Sequence, residues 1–348
     1  NAETNLITQN TLARRHPLNQ VRKQVLRSIE LLIIDEVSML RADLLDAIDY
    51  RLRSAKRNFN QPFGGVQLLM IGDLFQLPPI VKPGDWSVLR NFYKSIHFFE
   101  SRALKQAGFV TIELDKIYRQ QDTTFIGVLN NLRNNQVTLE DITLLNSRFE
   151  QNPISEPGRI TLTTHNYQAN EINEKELNKL PGRPEIFTAD VLDDFPESLF
   201  PVPQRMEIKE GAQIMFVKND SQEGKYFNGK LAEVNKIDDD GILVIMLDDG
   251  EKYRLKREEW VNKKYFINPD TKEQEEENVG TFLQYPVKLA WAITVHKSQG
   301  LTFDKAVIDV GKAFAPGQVY VALSRLRSIE GLTLRTKISN SVISSDID

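Results

Sequence analysis

Leu31-Leu-Ile-Ile-Asp35-Glu36-Val-Ser-Met-Leu40 decides how the rest of this chain is read. Leu31 to Asp35 reads as a fully buried strand, an apolar run stopped at its C-terminal end by two carboxylates. In an open α/β sheet, ligands bind outside the carboxyl ends of the strands. A carboxylate placed there suits the hard cation that accompanies a nucleotide, so Asp35 can hold Mg²⁺ directly or through water. Glu36, one residue on, can polarise an attacking water. A solvated strand end is the alternative reading of the same pair.

Working outward, the 348 residues are 41% hydrophobic and 26% charged, an ordinary globular composition with room for two or three domains. There is no cysteine, which excludes a disulfide framework and a thiolate metal site and suits a reducing compartment. The four histidines argue against a His-based zinc site. No apolar run approaches a membrane span, and Asn1-Ala-Glu-Thr-Asn-Leu-Ile7 does not read as a signal peptide. A cytoplasmic protein of bacterial type, with no membrane partner, is the expectation. The net charge of −4 conceals a basic cluster, Arg14, Arg15, Arg22, Lys23 and Arg27, with no acid between its members. Such a cluster is either a solvated helix face or a phosphate-contacting arm. Acids gather at Asp190–Glu197 and Asp270–Glu277.

After the first strand, Leu40, Leu44, Leu45, Ile48 and Leu52 recur at helical spacing. Val66–Ile71 reads as a second buried strand ending at Gly72-Asp73, and Val110–Leu114 as another. Strand, helix and strand with polar strand ends indicate a parallel doubly wound sheet. A second α/β region follows, with a helix through Phe125, Val128, Leu129 and Leu132. Strand Ile160–Thr164 then runs into a helix marked by Ala169, Ile172 and Leu177. From about Pro201 to Asn268 the pattern changes to short β runs: Gln213–Val217, Leu231–Ile237, Ile242–Leu247 and Lys252–Leu255. The turn pairs Asn228-Gly229, Asp240-Gly241 and Asp249-Gly250 separate them, as in a small antiparallel barrel. Strand Ala306–Val310 and helix Gln318–Leu326 then restore the α/β pattern, so the barrel is read as an insertion.

Four constellations carry chemistry. In Gly72-Asp73-Leu-Phe-Gln76-Leu-Pro-Pro79, a neutral amide on a stiff loop can sense a terminal phosphate or its attacking water. In Ile117-Tyr-Arg119-Gln120, a guanidinium can read phosphate through its planar fork. Ala292-Ile-Thr-Val-His-Lys-Ser-Gln-Gly-Leu-Thr302 packs Thr294, His296, Lys297, Ser298 and Gln299 beside Gly300, which permits close backbone approach. Val319-Tyr-Val-Ala-Leu-Ser-Arg325 is an amphipathic helix whose Arg325 can reach across a cleft to a phosphoryl group. Gly224-Lys-Tyr-Phe-Asn-Gly-Lys-Leu231 is a decoy. It nearly fits a phosphate loop but ends in Leu231, which has no hydroxyl for Mg²⁺, and it joins β runs.

In this order the motifs resemble those of superfamily-one 5′-to-3′ DNA helicases, most closely the Pif family, from Leu31 to about Leu334. The specific stretch is Leu44-Leu-Asp-Ala-Ile-Asp-Tyr-Arg-Leu-Arg53, Pro62-Phe-Gly-Gly-Val-Gln-Leu68, Gly72-Asp73 and Gln76-Leu-Pro-Pro79. The resemblance implies two RecA-like P-loop-NTPase-type motor domains, the first truncated, with the β-barrel inserted in the second. The corresponding boundaries are 1–110, 111–200, barrel 201–279 and 280–348, with a basic arm or wedge segment at about 8–27. It implies ATP and Mg²⁺ as cofactors. Asp35 would bind the metal, Glu36 the water and Gln76 would couple phosphate state to DNA, with Arg119, Gly300 and Arg325 facing the nucleotide. It further implies single-stranded DNA as partner, contacted by Thr163, Thr164, His165, Asn166, Thr294, His296, Lys297 and Gln299. Unwinding of duplex, forked or quadruplex DNA by a monomer goes with it.

The family's phosphate loop belongs upstream of Asp35, where no segment of this sequence fits it. The 348 residues are therefore expected to hydrolyse ATP poorly by themselves. A RecD-like recombination subunit, a relaxase-fused helicase and a non-catalytic single-stranded nucleic-acid-binding protein are the competing readings. A two-metal nuclease would need more carboxylates than Asp35 and Glu36.

Overall fold

The computed structural model describes Leu12 and residues 16–221, 223–267, 274–311 and 317–339. Arg14 and Arg15 of the basic cluster and Asp270 of the acidic run lie outside the described residues. The chain is α/β with both parallel and antiparallel sheets. Helix α1 (Gln20–Ser28) carries Arg22, Lys23 and Arg27, and the Asn19 side chain caps it by accepting from Arg22 N–H. Strand β1 (Leu31–Ile34) leads through a tight turn to α2 (Ala42–Lys56), and β2 (Gln67–Met70) returns parallel to β1. Helices α3 (Pro83–Leu89), α4 (Arg102–Ala107), α5 (Thr123–Arg133) and α6 (Leu139–Asn146) follow.

The first sheet departs from the sequence reading in two ways. The strand at Leu31 is not fully buried: its exposure alternates, with Leu31 at 48% and Ile33 at 55%, and Leu69 in β2 at 46%. Among the described residues only one face has a cover. There Leu32, Ile34, Leu68 and Met70 pack on Val37, Leu45, Leu52, Phe63 and Phe98. The stretch Val110–Leu114 is irregular instead of a strand, and Val110 and Leu114 are 90% and 85% exposed. A strand exists by pairing, and this run pairs with none among the described residues. Its neighbours Phe109–Ile112 and residues Leu68–Met70 of β2 line one groove of about 1080 Å³.

What fixes β1 and β2 is the stretch between them. On α2, Asp49 accepts from Arg53 Nε–H at 2.8 Å and from the Phe63 backbone N–H at 2.6 Å. Arg53 also donates to Phe59 O and to Gln106 Oε1. Phe63 and Gly64 then turn left-handed, at φ 54° and 66°, which drops Phe63 into the core. A Cβ on Gly64 would sit 2.9 Å from Leu52 O, so that turn needs glycine for two reasons. Asp46 ties the same helix to α4 by accepting from Ser101 Oγ and the Ala103 N–H, and it accepts from Tyr93 OH.

The second parallel sheet has the order β14-β3-β15-β16. Strand β3 (Ile160–Thr163) is followed by α7 (Asn166–Lys179). A β-rich region intervenes: β4 (Glu185–Thr188), β5 (Asp190–Asp193), β6 (Arg205–Ile208), β7 (Gln213–Phe216), β8 (Leu231–Asp238), β9 (Gly241–Met246), β10 (Lys252–Arg254), β11 (Glu258–Ile267), β12 (Gln274–Gln284) and β13 (Val287–Leu289). Its main sheet is antiparallel, in the order β10-β9-β8-β7-β13. Strand β4, before residue 201, pairs with β6, and β13, after residue 279, pairs with β7, while β5 pairs with Gly280–Leu283 at the end of β12. The chain then re-enters the parallel sheet at β14 (Ala292–Thr294), β15 (Ala306–Asp309), helix α8 (Gln318–Ser324) and β16 (Leu332–Leu334). Gly224–Leu231 ends in a turn at Gly229, φ 98°, leading into β8, as a hairpin and not a phosphate loop requires.

Asp49→Ala should strip the Phe63 N–H and the Arg53 guanidinium of their common acceptor. The expected cost is about 2 kcal/mol of stability, read as a lowered urea midpoint at unchanged m-value. A midpoint within error of wild type would show that the clasp is dispensable.

Candidate nucleotide and nucleic-acid site

The turn after β1 puts Glu36 in the left-handed region at φ 50° and ψ 42°, costly for a residue with a Cβ. Two bonds hold it there. The Glu36 N–H donates to Asp35 Oδ1 at 2.9 Å, and the Val37 N–H donates to Ile71 O at 2.9 Å. The turn also leans on Gly72, where a Cβ would lie 3.0 Å from the Val37 nitrogen. Asp35 is therefore exposed at the strand end, with lone pairs free, and Glu36 is half-buried beside it. Among the described residues no three His, Asp or Glu side chains converge as a metal cage. An exposed carboxylate of this kind fits Mg²⁺, which keeps most of its waters and takes one or two carboxylates plus phosphate oxygens.

The loop after β2 faces the same place. Asp73 accepts from the Phe75 N–H and from Gln76 Nε2, which fixes the Gln76 amide. Next to it, Leu77 is fully buried and belongs to the core of the second sheet, alongside Phe125, Val128 and Leu323. Gly317, at the start of α8, stacks so closely on this loop that a Cβ there would come within 2.3 Å of Gln76 O. The glutamine loop is thus seated between the two halves of the molecule.

Across from it stand the two arginines. Arg119 Nη1 donates to Ser324 O at 3.3 Å, and Arg325 Nε donates to Val321 O at 3.1 Å. Gln120, buried beside them, donates from Nε2 to Ser324 O and Leu326 O and so clamps the end of α8 from which Arg325 projects. Arg325 is 2% exposed. Burial, then the charge of Arg119, pushes its guanidinium down to about 10, against smaller opposing pulls from Tyr320, Glu36 and Asp73. Burial lowers Arg119 as well. Tyr320 stands in their midst, its phenol raised by burial and by Asp73, toward which its OH points at 3.5 Å. Arg133 reaches Asp73 from α5 at 3.7 Å and lies over the Phe75 ring. The structure thus brings Glu36, Gln76, Arg119 and Arg325 to one cleft. Asp73, Gln120, Arg133 and Tyr320 join them; the sequence marked Asp73 as a strand-end carboxylate and Gln120 by its place beside Arg119, without a role for either.

The second group lies at the carboxyl ends of β3 and β14, which are adjacent with Thr163 opposite Thr294. Thr163, Thr164 and Thr294 are buried, and their hydroxyls serve the local backbone and ring. Thr163 Oγ1 donates to His165 O, Thr164 Oγ1 bonds His165 Nδ1, and Thr294 Oγ1 accepts from the Lys297 N–H. His165 and Gln299 are half-buried, as is His296, whose imidazole burial holds below its usual value. Asn166, Lys297 and Gly300 reach the surface, Gly300 in the left-handed region at φ 76° with open space around it. Asn166, Thr294 and Lys297 line a groove of about 780 Å³ between α7, β6 and β13. From β6 and β13, Arg205 and Lys288 line it too, two cations that the sequence did not single out.

Comparison with known proteins gives the family. Residues 8–142 match the family model of the PIF1-like helicase. The chain is 35% identical over 314 residues to the ATP-dependent DNA helicase PIF1 of Danio rerio, covering 86% of this chain and 45% of that protein. It thus spans about half the length of the curated relatives it matches. Among solved structures it is similar to Pif1 from Bacteroides sp. in complex with ADP-AlF4, at 40% identity and a TM-score of 0.85, over 94% of this chain and 75% of that one. Bacteroides Pif1 bound to single-stranded DNA matches at 41% identity and a TM-score of 0.67, over 94% and 76%. With that identity over three quarters of a solved relative, this chain belongs to the Pif1 helicase family.

Proposed function

We propose that this chain is the motor core of an ATP-dependent 5′-to-3′ DNA helicase that translocates on single-stranded DNA and opens duplex, forked or quadruplex DNA. The observation that carries the reading is the cleft itself. A strand-end carboxylate pair and a fixed glutamine lie on one side; on the other lie a buried arginine, Arg325, and a half-buried one, Arg119, with no carboxylate in ion-pair range among the described residues. In this reading residues 1–110 form one RecA-like motor domain. Residues 111–200 and 280–348 form the second, and residues 201–279 are its inserted barrel. The groove beside Asn166, Thr294 and Lys297 is the single-strand path.

Each residue has a task in phosphoryl transfer. Asp35 would hold Mg²⁺, which when bound neutralises charge on the phosphates. Glu36, set by its strained turn, would orient the water and accept its proton. Gln76 would report the state of the γ-phosphate to the loop that Leu77 anchors in the other domain. Arg119 and Arg325 would meet the charge that develops on the transferred group, in the manner of arginine fingers.

Three measurements test the reading, in a protein carrying the phosphate loop unless stated otherwise. Glu36→Gln should keep nucleotide binding and lose about 10²–10⁴ in turnover; near-normal ATPase would refute the assignment of the base. Arg325→Lys should cost about 10³–10⁵, because lysine lacks the planar fork. A variant keeping half the wild-type rate would make Arg325 structural. The 348 residues alone, assayed with saturating single-stranded DNA, should show almost no ATPase. Several turnovers per second from that chain would mean the nucleotide site lies elsewhere.

A further inference from the structure

Lys288 is the cation in this molecule that local structure explains least. It sits on β13, at the root of the barrel, half-buried and facing Lys297 across the groove that Asn166 and Thr294 also line. No carboxylate lies within ion-pair range of it among the described residues. Of the acids lining the groove, Glu207 is within 3.4 Å of Arg205, and Glu174 makes no bridge to Lys288. The ammonium is pulled below its usual range by burial and then by Lys297. A half-buried lysine set against a second lysine is destabilising, and a purely structural lysine would carry an acid or give way to an apolar residue.

We propose that Lys288 and Lys297 form a two-sided clamp for a backbone phosphate of single-stranded nucleic acid, one jaw from the barrel and one from the motor sheet. The proposal rests on the single-strand path argued above and adds the barrel root as a contact. A phosphate between the two ammonium groups removes their repulsion and supplies the missing counter-charge to both. Arg205, exposed on β6 along the same groove, extends the positive wall. Asn166 and Asn170 offer amides that tolerate any base sequence.

The clamp predicts effects of opposite sign on stability and binding, which a structural lysine would not give. Lys288→Met keeps the side chain's length and removes the buried charge, so its thermal midpoint should equal or exceed that of wild type. Its affinity for fluorescein-labelled oligo-dT, read by anisotropy at moderate salt, should fall about tenfold. The slope of log K against log salt should become shallower by about 0.7, the value of one phosphate contact on a single strand. Lys288→Arg should retain the slope. Wild type that binds oligo-dT, with a Lys288→Met variant of equal affinity and slope, overturns the clamp and leaves the helicase reading standing. A lowered thermal midpoint in Lys288→Met also overturns it, by showing that the charge is used within the fold. Failure of wild type itself to bind would overturn the single-strand path and the clamp together.

Discussion

Two guanidinium groups, the buried Arg325 and the half-buried Arg119, are held together with no carboxylate in ion-pair range among the described residues, and the organisation of the cleft follows from keeping them there. Like charges at short range in a low-dielectric setting repel by several kcal/mol unless something neutral or negative intervenes. The chain supplies neutral acceptors: Ser324 O for Arg119, Val321 O and Ser324 Oγ for Arg325. Glu36 and Asp73 offset part of the charge of Arg325 from across the cleft. The protein is thereby left with a positive potential aimed at the place where Asp35 and Glu36 end their strand. An anion with several oxygens is the natural complement, and such preorganised charge acts most strongly on charge that develops during reaction.

The packing around that pair links the two halves mechanically. Gly317 admits no side chain against Gln76 O, and Leu77 is buried in the core of the second sheet. Any displacement of the glutamine loop must therefore move α8, which carries Tyr320 and ends at Arg325. The first sheet, by comparison, is lightly built. Its strands are held from one side only, through Asp46, Asp49 and the left-handed Phe63–Gly64 turn. Leu31, Ile33 and Leu69 are left facing outward. An apolar face of that kind is the mark of a surface made to be covered.

The difference between what could and could not be read in the sequence is a difference between local and long-range causes. The parallel strands, the antiparallel strands with their Asn-Gly and Asp-Gly turns, and the strand-end position of Asp35 and Glu36 follow from patterns spanning a few residues. Val110–Leu114 has equally good strand composition and is not a strand, because pairing depends on a partner elsewhere and composition cannot show one. The exposure of Leu31 and Ile33 was hidden for the same reason: an apolar run says that a face can be buried, not that a cover is present. Gln120 and Tyr320 were missed because their roles come from what lies more than two hundred residues away, Ser324 for one and Asp73 for the other. Thr163 and Thr294 show the converse. Their side chains shape the ends of β3 and β14 by bonding local backbone, so residue type alone overstated how many of those groups face outward.

The distribution of charge partners then separates two kinds of cation in this chain. In the antiparallel region, Lys218 is paired with Glu258, Lys225 with Glu251, Lys230 with Asp248 and Asp249, and Arg254 with Asp238. Lys230 is as buried as any of these, and its two acids more than offset the desolvation, so its ammonium is raised above the usual value. Arg119, Arg325 and Lys288 are lowered instead, since burial acts on them with no carboxylate near enough to compensate. Selection for stability alone has no reason to keep such groups, whereas a surface that must receive phosphate does. These three cations lie at the cleft beside Glu36 and at the groove beside Thr294, the two places where parallel strands present their carboxyl ends. A like-charge pair recurs at both places, Arg119 with Arg325 and Lys288 with Lys297, and an anion between the members of either pair would relieve the same repulsion.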